Sequence, residues 1–301
     1  MMPKSWKNKS VHLTEESRFT VENAYIEDAL LVSGPGSDSG IGGLYYVKRS
    51  GWMGGTEVWC MDRLSSRGID ANAEMLVRAL HSDGHMVITV YTSDSARTFV
   101  KEGLGNIHGV KIVDDKIYAV STTSNEVVCL DSEGNILKNW QFPGGKDAWH
   151  MSGVDLWDNR VVVCAFGRFE GESGYVGKTN GAGVVFDLES GKDVWSGLTG
   201  PHSPRCDKSG NKYICDSGTK RLIVKEATGG ERVIDCKTAF PRGLAIGKGM
   251  IYLGLSFLDS NGEAGASSKI LILDPETLEK MGELEMDIPE IYDILIIGDE
   301  S

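Results

Sequence analysis

Three of the six histidines in the chain stand at the starts of predicted β-strands in a repeated pattern. They are His108 in Asn-Ile-His-Gly-Val-Lys, His150 in His-Met-Ser-Gly-Val-Asp and His202 in His-Ser-Pro-Arg-Cys-Asp. Repeats that each place one imidazole at the same end of a strand can gather those imidazoles around one axis. Neutral imidazoles with open coordination positions suit Zn²⁺, Mn²⁺, Fe²⁺ or Ni²⁺, so the pattern predicts a divalent-metal site.

The spacing supports the prediction more strongly for two of the histidines than for the third. His150 and His202 share a register, because each is followed five residues later by an aspartate, Asp155 or Asp207. His108 lies two residues deeper, which is one strand period, so it can still face the same side. Two other interpretations stay open: the histidines hydrogen-bond the strands that carry them, or they bind an anionic ligand without a metal.

Charged residues at other predicted strand starts complete the candidate site. Arg205 and Arg242 each follow a proline, and two guanidiniums at one mouth would bind a carboxylate, phosphate or sulfate. Glu290 and Asp293 occupy the matching position in the last predicted strand. Glu290 is the candidate general base or fourth metal ligand, and Asp293 is a candidate for substrate binding or for holding the ring closed. The alternative for both arginines is that they neutralise carboxylates inside the ring.

The segment 167–183 is too long for a hairpin turn between two strands of one blade. Loops of this length are usually functional or disordered. Tyr175, Lys178 and Asn180 within it are predicted to cover the pocket and to contact the substrate.

The elements that position these residues repeat every 40 to 50 residues or so, each unit with four short strands, and this period is typical of β-propeller blades. Helical patterns are nearly absent, and Gly-rich turns punctuate the strands. The fold class is therefore all-β. The shared pattern is found in residues 106–131, 148–188, 201–225 and 239–274, and 74–104 is predicted as a shorter blade.

The two ends of the chain are predicted to form the last blade together. Residues 290–297 read as one more first strand, and its partners would be Ala29–Ser33, Gly43–Lys48 and Glu57–Asp62. Closing a ring in this way removes exposed sheet edges. The count is six four-stranded blades in a single domain over residues 21–301, with residues 1–20 as a tail or strap.

Composition limits the partners. The net charge of −12 argues against nucleic acid and anionic membranes, which need a basic surface. No apolar run approaches the roughly 20 residues that span a bilayer, and no signal-peptide pattern is seen, so a cytoplasmic location is expected. The six cysteines include no CxxC pair and are expected to be reduced. No P-loop or dinucleotide fingerprint occurs, so no nucleotide cofactor is expected.

From His150 to Ile297 the chain resembles a bacterial family of uncharacterised cytoplasmic six-bladed propellers. Pro-His-Ser-Pro-Arg at 201–205 and Glu-Ile-Tyr-Asp at 290–293 are the specific motifs, and Asn-Ile-His at 106–108 is similar to an earlier one. The resemblance implies the six-bladed fold and points to the same motifs. It brings no established reaction.

The leading hypothesis is a metal-dependent hydrolase or lyase that acts on a small anionic molecule, such as an acidic sugar or a modified amino acid. His108, His150 and His202 would hold the metal, Glu290 would act as base, and the arginines would orient the substrate. The alternatives are a non-catalytic propeller that binds an anion or glycan, and a scaffold for protein interactions.

Metal analysis tests the first part of this hypothesis. The purified protein should carry about one equivalent of a divalent metal, and the double variant His150→Ala/His202→Ala should lose it because two ligands are gone. Elemental analysis by mass spectrometry gives the stoichiometry. Metal well below one equivalent in the unmodified protein, even after divalent ions are added back, would contradict a metal site.

Overall fold

The computed structural model describes residues 18–21, 25–36, 42–50, 55–81, 85–258 and 264–297. These residues form six antiparallel β-sheets and one turn of 3₁₀ helix, Ser217–Thr219. The innermost strand of each sheet contacts that of the next, and the last contacts the first, so the sheets are the blades of a six-bladed β-propeller, as predicted. Within the described ranges no helix is long and apolar enough to cross a membrane.

Each blade is a meander whose innermost strand lines the central axis. The closing blade, blade 1, contains β1 Arg18–Val21, β2 Leu30–Gly34, β3 Gly43–Arg49, β4 Thr56–Asp62 and β25 Asp293–Ile296. Blades 2 and 3 contain β5 Ser66–Ala71, β6 Leu76–Leu80, β7 His85–Tyr91, β8 Ala96–Glu102, β9 Ile107–Val113, β10 Lys116–Ser121, β11 Glu126–Leu130 and β12 Ile136–Gln141. Blades 4 to 6 contain β13 Met151–Trp157, β14 Arg160–Ala165, β15 Gly183–Asp187, β16 Asp193–Leu198, β17 Pro201–Cys206, β18 Lys212–Asp216, β19 Arg221–Lys225, β20 Glu231–Asp235, β21 Phe240–Ile246, β22 Ile251–Leu258, β23 Ala264–Leu273 and β24 Lys280–Met286.

The ring closes as predicted, by pairing β25 with β2. The register runs from Leu30 opposite Ile296 to Ser33 opposite Asp293. A strand that the sequence pattern did not predict, β1, pairs with the outer side of β4. It begins at Arg18, inside the segment expected to be a tail or strap, of which residues 1–17 lie outside the described part.

Blade 2 is longer than the predicted segment 74–104, because it begins at Ser66 with the innermost strand β5. That strand reads Ser-Arg-Gly-Ile-Asp-Ala and matches neither a β-rich run nor a strict alternation. The omission matters for function, since β5 carries two channel residues, Arg67 and Asp70.

The inner strands approach one another so closely at one level that there is almost no room for side chains. A methyl group added to Gly68 would lie 2.9 Å from Gly109 Cα, and one added to Gly109 would lie 3.1 Å from Gly153 Cα. Hydrogen bonds link inner strands at the same level elsewhere in the ring, because Gly243 N donates to Ser203 Oγ and Ile69 N donates to Asp293 Oδ2. We call this level the collar. Its members, one from each blade, are Gly68, Gly109, Gly153, Ser203, Gly243 and Asp293.

Five of the six inner strands have a β-bulge at the collar. The register shifts between Ser66 and Ile69, between Met151 and Gly153, between His202 and Arg205, and at the corresponding places in β9 and β21. A bulge inserts an extra residue and redirects the side chains around it. In each of these strands, the side chain of the residue directly before the collar residue and the side chain of the residue two positions after it therefore both point to the central axis, on opposite sides of the collar.

The blades are held together by apolar side chains between their faces. Val32 and Val47 of blade 1, for example, are buried with Tyr252 and Ile270 of blade 6. The six cysteines form no disulfide in the structure, and five of them are buried.

The collar predicts that a single methyl group destabilises the ring. Gly68→Ala should lower the free energy of unfolding by about 1–3 kcal/mol, because its Cβ would lie within 3.0 Å of two backbone atoms of the neighbouring strand. The matched control is Gly282→Ala in the outermost strand β24, whose Cβ would meet nothing closer than 3.7 Å. Equal thermal midpoints for the two variants would show that the collar is not tightly packed.

Candidate functional site

One side of the collar gathers most of the polar residues that the sequence pattern singled out. The residues immediately before the collar, one from each blade, are Arg67, His108, Ser152, His202, Arg242 and Tyr292. His150 lies one strand period before Ser152 and joins them. We call Arg67, His108, His150, His202, Arg242 and Tyr292 the histidine site.

The register of the histidines differs from the prediction. His108 and His202 are equivalent, since both directly precede a collar residue, whereas His150 is the member that stands one strand period further out. The prediction paired His150 with His202 because it counted residues to the next aspartate, and the bulges change that count. His150 occupies its place with a left-handed backbone, φ +47°, a conformation that few non-glycine residues adopt.

The three imidazoles lie in one neighbourhood without forming a metal-binding set. The ring centroids of His108 and His150 are 5.1 Å apart and nearly perpendicular. Phe166 packs against both His150, at 4.3 Å, and His202, at 5.2 Å. Among the residues that the structure describes, no three His, Cys, Asp or Glu side chains are placed to hold a metal ion. The divalent metal stays a prediction, and the chemistry below is derived from the side chains alone.

Hydrogen bonds define the tautomer of His202. Its Nδ1 lies 3.0 Å from the carbonyl oxygen of Gly200, which can only accept, and 2.9 Å from Ser217 Oγ, which itself donates to Pro241 O at 2.6 Å. Nδ1 therefore carries the proton. The other ring nitrogen, Nε2, is left with a lone pair that can accept a proton or bind a ligand.

His150 is oriented by a carboxylate. Its Nδ1 lies 3.0 Å and 3.2 Å from the two oxygens of Asp147, which accept the N–H. Tyr175 packs on the same imidazole at a centroid distance of 4.3 Å. A carboxylate that holds the Nδ1 proton leaves Nε2 as the basic nitrogen, which is the arrangement of histidine general bases.

Burial keeps the other two imidazoles neutral. It lowers the pKa of His108 well below the usual value, and the positive charges of Arg67 and Arg242 lower it further. Burial likewise lowers the pKa of His202, again with Arg242, against a smaller opposing effect of the Gly200 carbonyl. Both imidazoles thus act as uncharged donors and acceptors at neutral pH.

Two guanidiniums each contact the ring of Tyr292. Arg242 Cζ lies 3.5 Å from the ring centroid and Arg67 Cζ lies 5.4 Å from it. Arg242 Nη1 is paired with Glu290 at 2.6 Å, whereas Arg67 has no carboxylate partner within the described part of the chain. Burial raises the pKa of Tyr292, so its hydroxyl stays protonated beside them.

Polar atoms without partners are concentrated here. Arg67 Nε, His108 Nδ1, Arg242 Nη2 and Tyr292 OH are buried and have no hydrogen-bond partner among the described residues. Such atoms are few in folded proteins, and each costs about 1–3 kcal/mol when left unsatisfied. Because the other three residues all lie around the ring of Tyr292, these four atoms mark a place where a polar ligand or water belongs.

The acidic and basic residues predicted as one site are divided by the collar. Arg205 Nη2 pairs with Asp293 at 2.6 Å, and the Arg205 side chain lines a cavity on the opposite side of the collar as well as the narrow gap that Arg242 also lines. An anion held by both arginines stays a prediction. Glu290 contacts Arg242 from outside the strand, and Tyr292 holds the channel position predicted for Glu290.

The loop 167–183 reaches the site through Tyr175. Lys178 and Asn180 are exposed. Their predicted part in substrate binding stays a prediction.

Arg67 and Tyr292 are the site residues that sequence reasoning missed. Arg67-Gly-Ile-Asp matches His108-Gly-Val-Lys and Ser152-Gly-Val-Asp, so a search for a polar residue, Gly, an apolar residue and a charge would have found β5. Tyr292 also directly precedes its collar residue, but that residue is Asp293 and not a glycine, so the pattern does not reveal it.

The buried histidines predict a specific loss of stability in acid. Because their folded pKa lies below the unfolded value of about 6.5, the unfolded chain binds more protons, and stability is lost as the pH falls from about 6.5. The thermal midpoint should fall over this range, and less steeply in His202→Gln, whose amide can still donate to Gly200 O. Long-range proton–nitrogen NMR should show His202 neutral with the proton on Nδ1. An imidazolium signal at pH 6.5 would refute the assignment.

Solved structures of other proteins share the fold. A chain of the nidogen/laminin complex matches with TM-score 0.61 at 11% identity, over 89% of this chain and 97% of that one. A putative 6-phosphogluconolactonase from Bacteroides fragilis matches with 0.55 at 9%, over 90% and 98%. A catalytically inactive histidine-to-alanine variant of virginiamycin B lyase from Staphylococcus aureus, solved with quinupristin, matches with 0.50 at 13%, over 90% and 88%. At these identities the similarity establishes the fold alone.

Sequence comparison gives a family. No curated protein matches the chain. Residues 95–300 match the family described as "Domain of unknown function (DUF4915)", a stretch that contains blades 3 to 6 and the closing strand β25. That stretch is more than half of the chain, and the protein therefore belongs to the DUF4915 family.

Proposed function

We propose that this protein is a hydrolase or lyase that acts on a small anionic substrate, such as an acidic sugar or a modified amino acid, in the histidine site. The observation that carries the proposal is the juxtaposition of unpartnered guanidinium and hydroxyl donors with an imidazole oriented by Asp147. The hydrogen-bond donors would be enough to bind an anion. The imidazole of His150, oriented by Asp147, adds a group that can accept a proton from the bound molecule.

The anionic group of the substrate would be held by Arg67, Arg242 and Tyr292. Arg67 Nε and Arg242 Nη2 are free to donate, and a carboxylate accepts two such bonds at once. Both guanidiniums contact the ring of Tyr292, so an anion bound beside that ring would be attracted by two positive charges, of which only that of Arg242 is paired with a carboxylate. The substrate therefore supplies the charge that the site lacks.

The proton would be moved by His150 Nε2. In a lyase it takes the proton from the carbon next to the carboxylate, that C–H electron pair forms the carbon–carbon double bond, and the leaving group departs with its own electron pair. In a hydrolase the same nitrogen takes a proton from the attacking water. Histidine chemistry on this fold has a parallel, since the variant of virginiamycin B lyase described as inactive lacks a histidine.

Catalysis is tested with substrates of both reaction types. A 4-linked digalacturonide and O-acetylserine report elimination through the absorbance of the new double bond or through released acetate, and an aldonolactone reports hydrolysis through released acid. His150→Gln should lower kcat by about 10²–10⁴ with KM little changed, because it removes the base but not the anion-binding donors.

Binding is tested by removing the unpaired guanidinium. Arg67→Gln should weaken binding of galacturonate about tenfold or more, as expected for loss of a charged hydrogen bond. Arg97→Gln, which removes the same charge from the exposed outermost strand β8, is the control and should bind as the unmodified protein does. If galacturonate binds but no substrate is converted, the protein is an anion-binding module and not an enzyme. If Arg67→Gln and Arg97→Gln bind galacturonate equally well, the histidine site is not where the anion binds.

A further inference from the structure

A second cavity lies on the opposite side of the collar, and the proposed reaction does not use it. It has a volume of about 350 Å³ and is lined by residues from all six inner strands. Between it and the histidine site the collar leaves a gap of only about 20 Å³, which is room for roughly one water molecule. We call this cavity the far chamber. It is a separate compartment, because the collar is too narrow to pass a substrate.

The charges in the far chamber follow an order around the axis. The residues two after the collar are, in blade order, Asp70, Lys111, Asp155, Arg205, Ala245 and Leu295. Four consecutive blades thus present alternating negative and positive side chains, and the next two present none. The alternation places both signs of charge close together on one side of a small cavity, which we call the charged half.

The charged half retains binding capacity. Lys111 Nζ is shared between Asp70 Oδ1 at 3.4 Å and Asp155 Oδ1 at 3.3 Å, so neither contact is a short one. Arg205 uses three of its five N–H groups, on Leu244 O, Pro204 O and Asp293, and two are left. The side chains of Lys111 and Arg205 remain 26% and 20% exposed, which leaves them accessible from the chamber.

The opposite half of the chamber is hydrocarbon. It is formed by neighbouring strands, β21 and β25, through Ala245, Ile246, Ile294, Leu295 and Ile296. A ligand that fits the chamber therefore needs a charged end and an apolar end. The volume lies at the lower limit for small-molecule sites, so the ligand is small.

We propose that the far chamber binds a small zwitterion with an aliphatic tail, that is, an aliphatic α-amino acid. Its carboxylate accepts from Arg205 and Lys111, its ammonium donates to Asp155, and its side chain lies on the apolar wall. A simple anion in the chamber is repelled by the carboxylates of Asp70 and Asp155, and a simple cation is repelled by Lys111 and Arg205. A molecule with both charges avoids each repulsion.

Leucine and its one-charge analogues test the proposal by calorimetry on the full chain. L-leucine should bind at least about tenfold more tightly than isocaproate, which lacks the ammonium group, and than isoamylamine, which lacks the carboxylate. Glycine, which has no tail, should bind more weakly than leucine by a similar factor. These comparisons need no variant and so do not depend on how a variant folds.

Asp155→Asn tests the position of the ammonium group. It should weaken leucine binding about tenfold or more, while Glu231→Gln, which removes the same charge from the exposed outermost strand β20, should leave it unchanged. Thermal melting confirms that both variants are folded. The proposal is overturned if leucine does not bind at millimolar concentration, if either analogue binds as tightly, or if a folded Asp155→Asn binds leucine normally.

Discussion

The close approach of the inner strands at the collar is the constraint on which the other features depend. Backbone meets backbone there, because Gly68, Gly109 and Gly153 have no side chain to intervene. A propeller with larger residues at this level would have to open its axis or tilt its blades. The contact closes the channel almost completely and so divides it into two compartments with different chemistry.

The bulges at the collar allow one strand to supply both compartments. In an unbroken strand, positions separated by three residues point to opposite faces. The extra residue restores the same face, so Arg67 and Asp70 of one strand, or His108 and Lys111 of the next, all reach the axis on either side of the collar. The two compartments also differ in how their charges are satisfied. In the far chamber every charged side chain has an opposite partner, whereas the histidine site leaves several donors buried and unused.

The sequence predicted the fold well because strand patterns and turns are local signals. Six blades and closure through β25 and β2 follow from them. The candidate site was predicted only in part. His108, His202 and Arg242 were found because His-Gly, His-Ser and Pro-Arg stand out, but the bulges shifted the register by amounts that no local pattern reveals. Arg205 was grouped with Arg242 because each follows a proline, but Arg242 directly precedes the collar and Arg205 lies two residues after it. Arg67 was not predicted, because the polar sequence of β5 does not show the pattern of a β-strand.

Ring closure also has a consequence for the order of events during folding. The hydrogen bond from Ile69 N to Asp293 links residues 224 positions apart, and Tyr292 beside it completes the cation–π contacts of Arg67. Contacts of this sequence separation form late, since a long loop must first be closed. No single blade and no run of consecutive blades that stops short of closure contains either compartment. A ligand of the histidine site therefore recognises the closed ring only, and by mass action it stabilises the joined ends of the chain against opening.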